Sequence, residues 1–371
     1  MKQVRVGVVG TSWWTDSMYL PALADHPAGS VQAICGRDRL TAEALAENWD
    51  IPHVYTDWRK MLADGQIDAV IVATPNDTHH PITMEAIRRG MAVLCEKPLS
   101  LDASLASEMV AAAEQADVTT MTPFTYRCMP SFRWTKQLID DGYVGRPYHL
   151  HLRYFTGYAR NGEYSWRFDP AISGAGVVGD LGTHWIDMAR WLLGEVVAVS
   201  ATIDRFVDRA PRPDGSSYDA AEDSALIQCR FESGALGVLH ATAVAWEGTP
   251  FGQIHELDLH GSGGTLHTYN DWDTVQEVRG VRAGERGPAT VLPIPQEIWQ
   301  GVRRNTVHNT YRDVFRSTEV QARAWLSAVA AGTKVQPDLA TGARVQLIAD
   351  AALQSAREHS RWVDTPSRPP R

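Results

Sequence analysis

The 371-residue chain has little cysteine, no long apolar run and no surplus of positive charge, and each shortage closes off a class of function. Its four cysteines, Cys35, Cys95, Cys128 and Cys229, are scattered without a C-x-x-C pair. That argues against a disulfide framework or a zinc site and fits reduced thiols. No apolar stretch approaches the ~20 residues that a membrane-crossing helix needs. Residues 1–10 run directly into a strand pattern with no apolar signal core, so the expectation is a cytoplasmic protein. Lys and Arg number 35 against 44 Asp and Glu, and the net charge of −9 speaks against nucleic acid or an anionic membrane as partner. Internal repeats and low-complexity segments are absent as well.

What is present reads as globular, with 44% apolar residues and a length that suits two domains. Short apolar strands at residues 4–9, 30–35, 68–73, 92–95 and 119–124 alternate with amphipathic helices at 40–49, 56–62, 81–89 and 100–117. This alternation predicts a doubly wound parallel sheet, an α/β fold of the Rossmann type, over residues 1–123. Beyond residue 124 helices become sparse, and long β-like runs follow at 146–155, 196–207, 224–231, 235–244 and 255–260. The alternation in Ala225–Leu226–Ile227–Gln228–Cys229–Arg230–Phe231 suits a mainly antiparallel sheet covered on one face. Residues 124–371 are therefore expected to form a second α/β domain, with late helices at 319–331 and 342–358, an exposed loop at 280–288 and a frayed end at 365–371.

Four strand ends carry the chemistry. After Ala92–Cys95 the chain turns polar at Glu96, Lys97 and Pro98, and ligands in open α/β sheets sit outside the carboxyl ends of the strands. One strand earlier, Thr74–Pro75–Asn76–Asp77–Thr78–His79–His80 offers Thr and Asn groups that can hydrogen-bond a ribose or an amide. After the first strand, Gly10–Thr11–Ser12–Trp13–Trp14–Thr15 stands where a dinucleotide-binding protein carries G-x-G-x-x-G, and only the first glycine is kept. Ser12 and Thr15 replace the others; the Ser12 hydroxyl can itself donate to a phosphate at a helix N-terminus. The second strand ends at Gly36–Arg37–Asp38, with no carboxylate at the ribose-binding spacing. A guanidinium suits a 2′-phosphate, which favours NADP. With NAD instead, Arg37 would stack on adenine or Asp38 would take the ribose.

In the second half, Ser173–Leu192 opens with glycines and enters a helix in which Asp180, His184 and Asp187 recur at i, i+4 and i+7. A purely structural reading makes Asp180 an N-cap, His184 a satisfied core histidine and Asp187 a partner of Arg190. The functional reading turns Asp180 and His184 towards Lys97 as an acid–base group in the cleft. A metal would need a third ligand, and no ligand motif supplies one. Tyr126, Arg127, Arg153, Tyr158, Trp166 and Arg167 are candidate walls of a substrate pocket, and Trp246, Trp272 and Trp299 further aromatic faces suited to sugars.

ATPNDTHHPITMEAIRRGMAVLCEKPL at residues 73–99, with D-x-G-x-H-x-x-D at 180–187, resembles the Gfo/Idh/MocA family, the glucose–fructose oxidoreductase and inositol dehydrogenase relatives. The resemblance implies an NAD(P)-dependent oxidoreductase acting on a secondary alcohol or ketone of a sugar, cyclitol or similar polyol. It implies coenzyme contacts from Gly10, Thr11, Ser12, Trp13, Trp14, Arg37, Thr74, Pro75, Asn76, His79, Glu96 and Lys97. Lys97 would hold the nicotinamide ribose and relay a proton, His184 would act as general acid–base on the reacting hydroxyl, and Asp180 would orient it, with Asp187 behind them. The sheet of the second domain would leave one face open as an oligomer interface, implying a homodimer or homotetramer. Two rival readings remain: a glycosidase using NAD in an internal redox cycle, and a non-catalytic dinucleotide sensor, against which the joint presence of Lys97, Asp180 and His184 speaks.

Overall fold

The structure, a computed structural model, describes residues 3–365. The chain divides into two compact units. The first runs to Phe124 and takes in Arg312–Gln346; the second comprises Thr125–Tyr311 and the chain from Leu347 onwards.

In the first unit six parallel strands, β1 (Val4–Val9), β2 (Gly29–Cys35), β3 (His53–Tyr55), β4 (Ala69–Val72), β5 (Ala92–Cys95) and β6 (Thr120–Met121), stand in the order β3-β2-β1-β4-β5-β6. β4 and β5 are buried at every position, as strands covered by helices on both faces must be. Ile82, Ala86 and Ile87 of the helix His79–Arg88 and Ala106, Met109 and Ala113 of the helix Ala103–Ala116 join the core cluster that holds Val70, Val72, Val93 and Cys95. Aspartates start three of the helices: Asp38, Asp57 and Asp102 accept from the backbone N–H groups of Leu40, Arg59 and Leu105. The strand order reverses between β1 and β4, so a crevice opens at the carboxyl ends of those strands.

A single division at residue 123/124 describes only the first crossing of the chain. Residues 312–346, expected in the second domain, pack with the first unit. Arg316 Nε donates to the Ser17 carbonyl at 2.7 Å, Arg323 Nη1 to the Ala22 carbonyl at 2.8 Å, and Thr122 N to the Pro337 carbonyl at 2.9 Å. Trp325 and Leu326 are buried. Periodicity identifies a helix but not the sheet it returns to.

The second unit is built on a nine-stranded sheet. Its strands are β7 (Pro147–Thr156), β8 (Val196–Asp204), β9 (Ser224–Phe231), β10 (Leu236–Thr242), β11 (Gln253–Gly261), β12 (Gly264–Asp271), β13 (Gln276–Arg282), β14 (Thr290–Val291) and β15 (Val363–Asp364). They stand in the order β14-β13-β12-β11-β7-β10-β9-β8-β15, antiparallel except for the central pair β7–β10. β12 and β13 were not expected from the sequence: outward His267 and Tyr269 and inward Thr268 and Asn270 blur the apolar alternation. The expected loop at 280–288 accordingly begins only after Arg282. Thr365 is buried and bonds the carbonyls of Val196 and Val197, whereas the rest of the expected frayed end lies outside the described residues. Among the described residues no helix is long and apolar enough to cross a membrane.

Candidate active site

In the first unit the expected coenzyme residues collect at the carboxyl ends of β1, β2, β4 and β5. Gly10 has φ +123°, and a Cβ there would lie 2.2 Å from the Ala73 carbonyl oxygen. The one glycine kept from the fingerprint is thus the one the backbone cannot replace. Thr11 packs against Gly36 at the end of β2, while Ser12 and Trp13 are exposed, Trp13 at 58%. This tight turn opening into a helix suits a pyrophosphate on its N-terminal amides. The following helical segment opens irregularly, as a π turn over Thr15–Tyr19, a feature frequent at functional sites.

That turn is tied to the lysine strand end through Glu96. One carboxylate oxygen accepts from Trp14 Nε1 at 2.8 Å and Tyr19 OH at 2.5 Å; the other accepts from the Lys97 backbone N–H at 3.1 Å. Burial pushes the Glu96 carboxyl up, against these hydrogen bonds. Glu96 and Trp14, expected as coenzyme contacts, therefore use their polar groups to brace the loop under Lys97. His79 is likewise turned inward. It is 1% exposed, with Nδ1 2.8 Å from the Pro98 carbonyl and Nε2 2.8 Å from the Thr74 carbonyl. Joining the turns after β4 and β5, it has no ring nitrogen left for a coenzyme, and burial lowers its pKa. Asn76 is buried beside it, Thr74 Oγ1 accepts from Thr78 Oγ1, and the Lys97–Pro98 bond is cis. Arg37 is exposed after β2, and Asp38 is committed to the Leu40 N–H and the Thr41 hydroxyl.

In the second unit the segment with Asp180 and His184 opens with a π turn over Val178–Gly182 and continues as the helix Thr183–Leu193. Asp180 lies inside that turn rather than capping a helix. Its Oδ2 accepts from Tyr158 OH at 2.7 Å and lies 3.4 Å from Arg167 Nε, whose guanidinium sits over the Trp166 ring. Two of the expected pocket residues thus reach one carboxylate, and a third, Trp166, backs Arg167. His184 is 8% exposed, with the Tyr126 ring edge-on at 4.6 Å between centroids. Tyr126 lies beneath it, buried, its hydroxyl 2.6 Å from that of Tyr154. Burial raises the pKa of both phenols.

Arg127 and Arg153 do not join this group. Arg127 holds both oxygens of Asp187 through its Nε and Nη2, Nε to Oδ2 at 2.6 Å, while Arg190 pairs with Glu195, so the Asp187–Arg190 pairing considered from sequence is not the one formed. Arg153 alternates with Tyr154 along β7 and points from the opposite face of the sheet, where it pairs with Glu256. Trp272 and Trp299 are buried in the core.

Two family models match the chain: the oxidoreductase family with NAD-binding Rossmann fold over residues 4–124 and the GFO/IDH/MocA C-terminal domain over residues 132–267. The chain belongs to the Gfo/Idh/MocA family. It is an NAD(P)-dependent oxidoreductase acting on CH–OH groups. Levoglucosan dehydrogenase of Pseudarthrobacter phenanthrenivorans is 29% identical over 99% of both chains. A solved levoglucosan dehydrogenase in complex with NADH superposes with a TM-score of 0.86 at 27% identity, covering 98% of this chain and all of that one. D-xylose 1-dehydrogenase (NADP+) of Haloarcula marismortui is 30% identical over 54% of this chain and 57% of its own.

Family motifs pointed to Lys97, Asp180 and His184 but not to what holds them. Tyr19, Glu222, Asp223 and Arg209 went unread. Each is an ordinary residue type in a segment without a motif, and its partner lies far along the chain. The one local signal was the pair of adjacent acids, Glu222 and Asp223, directly before a strand.

Proposed function

We propose that the protein oxidises, or in reverse reduces, a secondary alcohol on a cyclic sugar or cyclitol, with Lys97, Asp180 and His184 handling the proton. The observation that carries this reading is the Asp180 carboxylate, fixed by Tyr158 and Arg167 one turn before His184 on the same helical segment. The nicotinamide coenzyme, when bound, supplies the acceptor or donor of the hydride. Gly10, Thr11, Ser12 and the turn after β4 would hold it. His184 takes the hydroxyl proton on oxidation and returns it on reduction, the general acid–base role an imidazole can fill. Asp180 accepts a hydrogen bond from a neighbouring substrate hydroxyl and so orients the ring, leaving the one proton of the reacting hydroxyl for the imidazole. Lys97 donates to the ribose and relays the proton onward.

Arg37, exposed with Asp38 already engaged, supports NADP; the likeness to a levoglucosan dehydrogenase solved with NADH supports NAD. Titration with NADPH and NADH, followed by nicotinamide fluorescence, decides between them. If Arg37 holds the 2′-phosphate, NADPH binds more tightly and Arg37→Ala weakens it about 10- to 100-fold, the worth of one or two charge-assisted hydrogen bonds, with NADH little changed. Tighter NADH binding, unaffected by Arg37→Ala, overturns the 2′-phosphate assignment. Turnover of levoglucosan, D-xylose or myo-inositol with the preferred coenzyme tests the reaction itself.

A second copy of the chain covers the outer face of the β7–β13 sheet, in our reading, because Leu226, Leu236 (55% exposed) and Tyr269 stand there in the open. Sedimentation should give a dimer or tetramer, and Leu236→Lys should shift it towards monomer. A wild-type monomer at micromolar concentration would refute this interface.

A further inference from the structure

Glu222 lies two residues before β9 and belongs to no motif, yet three consecutive backbone N–H groups converge on it. Its Oε1 accepts from Gly176 N at 2.9 Å and Val178 N at 3.0 Å, and its carbonyl oxygen accepts from Val177 N at 2.9 Å. These three residues lead straight into the π turn that carries Asp180 and the helix that carries His184. The approach is so close that a Cβ on Gly176 would stand 2.0 Å from the Glu222 carbonyl oxygen. A carboxylate here also faces the positive end of the helical segment from Val178 to Leu193.

The next residue reaches the same aspartate from the other side. Asp223 accepts from the N–H groups of Phe206 and Val207, at 3.0 Å each, and pairs with Arg209 Nη2 at 3.0 Å. The Arg209 guanidinium lies over the Phe168 ring, which neighbours the Tyr158 ring whose hydroxyl holds Asp180. Backbone and side chain of Asp180 are thus both anchored, by separate routes, on residues 222 and 223.

We propose that Glu222 is a positioning residue for Asp180 and His184, fixing the backbone at 176–178 so that both side chains are presented to the substrate in register. The proposal rests on the roles given to those two residues above. A charged acceptor binds two N–H groups more strongly than an amide oxygen would. Glu222→Gln, which keeps the oxygen and the shape, should therefore lose only a few-fold in kcat. Glu222→Ala should lose about 100-fold, the scale expected for a displacement of roughly 1 Å at catalytic groups. Gly176→Ala forces the same displacement without touching a charge and should match Glu222→Ala.

The test uses the full-length protein and two readouts: amide hydrogen exchange over residues 174–186, and turnover of levoglucosan and myo-inositol alongside the coenzyme dissociation constant. Faster exchange at 174–186 and lower kcat in Glu222→Ala and Gly176→Ala, with unchanged coenzyme affinity and recovery in Glu222→Gln, support the proposal. Wild-type exchange in Glu222→Ala overturns it. So does a parallel loss of coenzyme affinity and turnover, which marks a general folding role. If the wild type turns over neither probe, the catalytic reading of Asp180 and His184 loses its support, and unaltered exchange in Glu222→Ala still refutes the anchoring separately.

Discussion

Lys97→Met is expected to lower kcat on a true polyol substrate by about 1,000-fold, within the range for removing a general acid–base group. Coenzyme binding should weaken far less. The brace under the loop uses the residue 97 backbone N–H and the Glu96 carboxylate, and the substitution keeps both. His184→Asn should cause a loss of the same order, with the Tyr126–Tyr154 pair beneath it intact. If both residues serve one proton transfer, as proposed above, the double variant should lose little more than either single one, as is usual for groups acting as a unit. Steady-state kinetics together with a coenzyme titration separate chemistry from binding. Unchanged kcat in either single variant would sink the catalytic assignment.

The second large effect concerns stability. Asp187 is 1% exposed, and Arg127 bonds both of its oxygens. Arg127→Met leaves a buried carboxylate without its counter-charge, which typically costs about 3–5 kcal/mol. Burial already holds the Asp187 carboxyl above its ordinary value of 3.8 despite Arg127, and losing the guanidinium raises it further. Between 3.8 and that raised value the folded state binds a proton that the unfolded state has lost. Stability must then fall as pH rises through this window and recover on acidification. Urea unfolding at pH 5 and pH 8 should therefore show a larger deficit at pH 8. A deficit equal at both, or larger at pH 5, would mean that Asp187 is not the group responsible.

Legibility from sequence followed the range of the interactions. The parallel sheet was readable because buried strands are continuous apolar runs and each strand–turn–helix unit is local, as in Ala69–Val72 followed by Thr74–His79. The antiparallel strand Ser224–Phe231 was readable from strict alternation, whereas Gly264–Asp271 was hidden by polar residues on both faces. Lys97, Asp180 and His184 could be picked out because they stand in short motifs. His79 stands in one too, and there the fold turns the imidazole inward, between the Thr74 and Pro98 carbonyls.

The sequence by itself determined the family, the Rossmann sheet and the three residues proposed for the chemistry, because strand ends and helical spacing are properties of a few consecutive residues. Only the tertiary structure decided that residues 312–346 belong with the first unit, that Arg153 lies on the far side of its sheet, and that Glu96 and Glu222 are braces. Each of these depends on a partner tens to hundreds of positions away. A buried charge or hydrogen bond is set by where the chain folds back, and local periodicity carries no record of that.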